Sequence, residues 1–518
     1  MKIKFLKVVL YLVSVVSVLG LISCSSVLQT SNTSPTKPVS GFNQSASKKE
    51  FPGFHEKYAP PDWWKNENQK NPTRFPIFKL RQDYPTHEIR EPLQIWQKPE
   101  FDAVFDLKKP YEDRKKIAER YIVEVLKYAY RGNVENDWIA EKNKIRRWFH
   151  APWLHINYRE KDGKIEERNS GSREFVRGLT AERCSCRAEL DSPEIGETCL
   201  PAPEDFKDSE EKLCSDASPV QNWGVAFFNE KAALTIGKVW EEMTVHERDS
   251  SKYPNLEEIG KMDFTDGSVV IKLLFTSATD TDAPILAGSR LKWNADTNRY
   301  KHRAANGDSF FSEENCRKSD ENFKKCFPEL RLLQIDIAVR DTRAKHTTGW
   351  VFGTFIYNKD AKSVLDGKIK PKSDWEKVEP VGLMFGNDPE VKFGQSSANL
   401  KENFIFTKLK QHLGCGGRLN GPVDNPSQSC LACHAGAEIS PKYTKIATIK
   451  NPCTNDSFGL YFKNVRSGKP ITPEGISLRY SLQLQAGIIR YCIANNQNCV
   501  GNGINTKFGF SHEIERTE

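Results

Sequence analysis

Leu333-Gln334-Ile335-Asp336-Ile337-Ala338-Val339-Arg340 alternates apolar and polar residues with a period of two. That is the pattern of a strand packed on one face and wet on the other. On either side, Ser268 to Ala278 (SVVIKLLFTSA), Gly349 to Tyr357 (GWVFGTFIY) and Val381 to Phe385 are apolar enough to be buried strands. Asn222 to Trp240 reads as a hairpin turning at Asn229-Glu230-Lys231. No helix of regular length alternates with these runs, which disfavours a parallel βαβ sheet and favours an antiparallel sandwich or barrel. The expected fold class is α+β, with the β-rich domain over residues 146–394.

Upstream, Glu112 to Arg131 carries Ile117, Tyr121, Val125 and Tyr128 on one face of a helix, and Gly132 is placed to stop it. Phe51 to Pro110 is rich in proline, charge and tryptophan (Trp63, Trp64, Trp96). Residues 51–145 therefore read as a wrapping segment plus one helix. Its aromatic residues suit the surface of a large β domain better than a sugar or quinone site.

The chain has 518 residues, a net charge of +8 and 13 cysteines. Lys2, Lys4 and Lys7 precede an apolar run from Val8 to Ile22 that is short for a bilayer span, as in a signal peptide. The run ends in Leu21-Ile22-Ser23-Cys24, which resembles the bacterial lipobox. That implies a lipoprotein signal peptide over residues 1–23, diacylation of Cys24, and a lipid-anchored protein of the cell envelope facing the periplasm or outer surface. Residues 24–50 are rich in Ser, Thr, Asn and Pro, a composition that does not fold by itself and serves as a tether. Loss of the three lysines leaves a net charge of +5. No basic run interleaved with aromatics is present, and nucleic acid is not an expected partner.

Export favours paired or modified thiols. Apart from Cys24, two cysteines stand in Cys430-Leu431-Ala432-Cys433-His434, the C-x-x-C-H pattern of covalent c-type haem attachment. Thiols three positions apart reach the two vinyl groups on one porphyrin edge, and the adjacent imidazole supplies the proximal iron ligand. Composition alone predicts roughly 0.006 such matches by chance. A thiol-redox C-x-x-C wants a thioredoxin-like context that the flanks do not offer. The turn-rich run Cys415 to Pro426 suits a loop around a ring, and its Arg418 is either a propionate partner or simply solvated. Ser477 to Asn495 is helical, with Leu478, Leu482, Ala486, Ile489 and Ile493 in a stripe.

Among the remaining cysteines, Cys415 and Cys453 bracket the motif and can pair across it, while Cys492 and Cys499 flank the end of the last helix. Cys316 and Cys326 bracket a charged loop, and Cys184, Cys186, Cys199 and Cys214 suit two disulfides better than zinc. His150 and His155 flank Pro152, which disfavours a helical metal pair. No phosphate-binding glycine loop, G-x-S-x-G elbow or His-Glu-x-x-His is present.

The motif and its placement resemble a mono-haem cytochrome c domain over about residues 395–518. The stretches Trp148-Phe149-His150-Ala151-Pro152-Trp153, Gln221-Asn222-Trp223-Gly224-Val225, Gly349-Trp350-Val351-Phe352-Gly353 and Val381 to Asp388 are similar to large bacterial lipoproteins with a C-terminal cytochrome c domain. The resemblance implies one covalent haem c held by Cys430, Cys433 and His434 in a small, mainly helical domain. It departs from the usual pattern at the sixth ligand, because none of Met1, Met243, Met262 and Met384 follows His434. Met384, His512, His412, His150, a lysine or an open position remain. Two strong axial ligands imply electron transfer with a redox partner protein of the envelope. An open position implies a haem enzyme acting on peroxide or nitrogen oxides, or a gas-binding sensor.

Overall fold

The computed structural model describes residues 83–88, 90–151, 156–161, 164–171, 179–182, 185–186, 219–240, 254–255, 260–261, 263–295, 319–392, 395, 397–408, 413–440, 453, 459 and 461–494. The strands in chain order are β1 (Trp148–Phe149), β2 (Ile156–Lys161), β3 (Lys164–Gly171), β4 (Thr180–Ala181), β5 (Ser185–Cys186), β6 (Pro219–Val220), β7 (Asn222–Asn229), β8 (Val269–Thr276), β9 (Lys292–Asn294), β10 (Glu329–Arg340), β11 (Trp350–Tyr357), β12 (Val378–Met384), β13 (Asn403–Ile405), β14 (Glu438–Ile439) and β15 (Ile476–Ser477). The helices are α1 (Tyr111–Tyr130), α2 (Glu230–Trp240), α3 (Asp320–Cys326), α4 (Cys430–Ala435) and α5 (Leu482–Ala494).

Nine strands form one antiparallel sheet in the order β1-β7-β8-β10-β11-β12-β13, with β4 beside β7 and β9 beside β10. The β-rich antiparallel middle is thus present. The expected sandwich or barrel is instead a single open layer: among the described residues β1 pairs with β7, β13 pairs with β12, and the two ends do not meet. Among the described residues, helix and loop, rather than a second large sheet, cover its faces. The sheet also runs past residue 394, since β13 lies beyond it.

The central strand sets the two faces. Ile337 of β10 sits opposite Ile271 of β8 and Gly353 of β11, while the next residue, Asp336, sits opposite Lys272 and Thr354. Successive side chains point to opposite sides of a sheet, so Ile335, Ile337 and Val339 share one face and Gln334, Asp336, Ala338 and Arg340 the other. Helix α1 covers the first face. A side-chain carbon on Gly353 would come within 2.9 Å of Ile122, so only glycine lets the helix approach this closely. Ala118, Tyr121, Ile122, Val125, Leu126 and Ala129 of α1 are buried there, each large apolar side chain contributing about 1.5–3 kcal/mol.

Glu112 and Asp113 lie in the first turn of α1 and Lys127 in the last, matching the helix dipole at both ends. Gly132 stops the helix with φ at 81°, as expected. Trp96, Phe101, Val104 and Phe105, from the segment before α1, join the same core. Trp63 and Trp64 lie outside the described residues.

The hairpin expected over 222–240 is a strand followed by α2. Asn229 decides the difference: its side-chain oxygen accepts from the backbone N–H of Ala232 at 3.0 Å, a helix cap at the intended turn. Ala232, Ala233, Ile236, Val239 and Trp240 then bury at helical spacing.

Candidate functional site

The C-x-x-C-H segment is helix α4. Ser429 caps it, accepting from the N–H of Ala432 at 3.3 Å. Cys430 and Cys433 form no disulfide and are both half-buried, on one helical turn. The helix lies on the second face of the sheet: the Cys430 thiol is 4.0 Å from the Thr354 hydroxyl of β11, and the His434 ring centre is 4.8 Å from that of Phe352. Its outer side packs on Cys415, Tyr461 and Phe462 through Ala432. A Cys415–Cys453 disulfide joins the chain before and after the motif, the pairing that their bracketing positions allowed. Each of the other anticipated pairings, among Cys184, Cys186, Cys199 and Cys214, of Cys316 with Cys326 and of Cys492 with Cys499, has at least one partner outside the described residues.

His434 is oriented by one bond. Its Nδ1 lies 2.8 Å from the carbonyl oxygen of Tyr480. A carbonyl only accepts, so Nδ1 carries the proton and Nε2 keeps its lone pair. Burial drives the imidazole pKa down to about 4 against the pull of this hydrogen bond, and the nearby Lys272 charge acts in the same direction as burial. The ring is neutral at physiological pH. Nε2 has no hydrogen-bond partner among the described residues. Arg479 and Tyr480 both adopt left-handed backbone conformations (φ 52° and 70°), an unusual state for residues with side chains. Tyr480 is held there by a short hydrogen bond from its hydroxyl to the Val465 carbonyl. Local strain thus aims the carbonyl that fixes His434.

Beneath α4 the sheet presents charge. The Gln334 side chain accepts from the Val423 N–H at 3.0 Å, which turns its amide nitrogen toward two carboxylates. That nitrogen donates at 2.9 Å to Asp336 and at 2.9 Å to Asp424. The Thr354 hydroxyl donates to Asp336 at 2.8 Å, and Lys272 pairs with Glu182 at 2.6 Å. Burial, and then the charge of Asp424, push the Asp336 carboxyl up to about 7. As a thiol, Cys430 stands well above its ordinary pKa because it is buried and faces Asp424 and Asp336. The backbone comes close here: a side chain on Gly421 would collide with Gln334 at 2.3 Å.

Arg418 is neither solvated nor directed at a ligand. It is fully buried and donates to the carbonyls of Asn387, Cys415, Asp388 and Val391 at 2.7–3.2 Å, with its guanidinium over Phe462. Burial lowers its pKa to about 10. Met384 is fully buried on β12, directly across from Phe352, and so shares the face that carries the motif. His150 packs its ring 4.6 Å from Phe227, whose register with Ile271 places it on the α1 face. The sheet therefore separates His150 from His434. His412, His512, Cys24 and His155 lie outside the described residues. Asp336, Asp424 and Gln334 were not anticipated; the signal was in β7 and β11, apolar on both faces, which require cover on both sides of the sheet.

No helix among the described residues is long and apolar enough to cross a membrane. No protein family, curated protein or solved structure matches the chain, which leaves the chemistry of these side chains to indicate what the protein does.

Proposed function

We propose that the protein is a mono-haem c-type cytochrome, anchored by a lipid on Cys24 in the bacterial cell envelope, that carries electrons to or from a partner protein. The single observation that carries the reading is His434. Its Nδ1–H is committed to the Tyr480 carbonyl, the ring is neutral, and Nε2 is left with its lone pair beside two cysteines that form no disulfide. A metal-binding imidazole is oriented by such a second bond. The donor set fits haem c: Cys430 and Cys433 for the thioethers, His434 for the axial position. Bound there, haem supplies a one-electron iron couple.

The raised pKa of Cys430 argues against the rival thiol-redox reading, because thiol exchange needs an accessible thiolate. Of the methionine and histidine candidates for the sixth ligand, Met384 alone among the described residues shares the motif's face, and we assign it that role. A small, mainly helical haem domain is part of this proposal; in the described chain the motif helix is built against the sheet.

Visible spectra of oxidised and reduced protein, with and without carbon monoxide, test the assignment. The expected result is a low-spin, six-coordinate haem unmoved by the gas. High-spin iron that binds carbon monoxide at once would replace the carrier with a haem enzyme or gas sensor. A Cys24→Ala variant is expected to leave the membrane fraction, and unchanged retention would refute the anchor.

A further inference from the structure

Gln334 joins two elements that meet only in the folded protein. It stands on β10 and is fully buried, while Asp424 and Val423 come from the loop that precedes α4. Because its oxygen is occupied by the Val423 N–H, its amide must hold Asp336 and Asp424 together. Like charges so close repel, and one of them gains by taking a proton. The groups facing the pair are Lys272 from β8, Glu182 following β4, Thr354 from β11 and Cys430 from α4. Lys272 pairs with Glu182, so its charge is divided between that carboxylate and the pair. Asp336 and Asp424 are both partly open to solvent, which gives protons from water a way in.

We propose that Asp336 and Asp424 form a redox-linked proton site, taking up one proton from water when the iron beside the motif gains one electron and releasing it on oxidation. The inference rests on the haem reading above. The balance is simple: a one-electron donor reduces ferric to ferrous iron, the positive charge near Cys430 falls by one, and the carboxylate pair takes one proton to restore it. The contact chain from Cys430 through Thr354 to Asp336 keeps the two charges close, and Coulomb coupling is strong in such a partly dry site. Asp336 already titrates near neutrality, where this exchange is useful to a cell.

The test is redox titration of the full-length haem protein between pH 5 and 9. The midpoint potential is expected to fall as pH rises, with a slope approaching 59 mV per pH unit at most, the equivalent of a tenfold change for one electron. Asp336→Asn and Asp424→Asn are each expected to flatten the slope, whereas Asp360→Asn, at a well-exposed carboxylate, should leave it intact. Reduced-minus-oxidised infrared spectra of the wild type provide a readout independent of any variant: a protonated carboxyl band should appear on reduction and be absent in Asp336→Asn. A flat wild-type potential, a slope unaffected by both asparagine changes, or no carboxyl band overturns the proton site while the haem assignment stands. Protein without covalent haem overturns both.

Discussion

The two faces of the sheet differ in kind although both are covered. On the α1 face, Ile271, Leu273, Ile335, Ile337, Val339 and Leu383 pack against a helix and aromatic rings. On the motif face, Gln334 bonds to Val423 and Asp424 of the loop before α4, while Asp336 accepts from Gln334 and Thr354 and Lys272 pairs with Glu182. The first arrangement stabilises by removing apolar area from water, tolerant of detail in its chemistry. The second fixes orientation, because each polar group must find its particular partner. The contrast places stability on one side of β10 and the proposed chemistry on the other.

The largest expected effect tests that division directly. His434→Ala, on the motif face, should abolish the low-spin haem spectrum, whereas His150→Phe, on the α1 face, should leave it unchanged; a spectrum altered by His150→Phe would break the separation. Next comes Ile335→Ala, fully buried on the α1 side, which should cost about 2–5 kcal/mol in urea unfolding with little change in the haem spectrum of the folded protein.

Met384→Leu should cost less than about 1.5 kcal/mol as a nearly volume-conserving change, yet shift the haem spectrum; an unaltered spectrum removes Met384 as a ligand. The smallest effect concerns pH. Asp336 has its folded pKa raised from 3.8 to about 7, so between these values the folded state binds more protons than the unfolded. Wild-type stability attributable to this group therefore falls as pH rises through that window. Asp336→Asn should show a smaller fall in its urea midpoint from pH 4 to pH 8 than the wild type, and an equal fall would contradict the raised pKa.

Much of the sheet is legible in the residues. The alternation in β10 and the apolar runs of β8, β11 and β12 mark strands because the period of a half-buried ladder leaves little room for another fold. The 20-residue helix α1 declares itself through its stripe and Gly132. What escaped depended on long-range cover. Gln334 and Asp336 look like water-facing residues when β10 is read alone, and only neighbours that are apolar on both sides reveal that the loop returns over them. Asn229 illustrates a local ambiguity: the same residue types serve a turn and a helix cap, and the helical burial of Ala232 through Trp240 decides between them. At the site, the C-x-x-C-H spacing was fully readable. The Tyr480 carbonyl that orients His434 was not, since a backbone group carries no sequence signature.

The position of β13 has a consequence for biogenesis. This strand pairs with β12 and lies at residues 403–405, and the segment that covers the polar face comes later still. A chain emerging from its N-terminus completes β10, β11 and β12 while the outer edge of β12 remains open, and exposed edges invite pairing with other chains. The outer edge of β12 is closed only when β13 has itself been delivered.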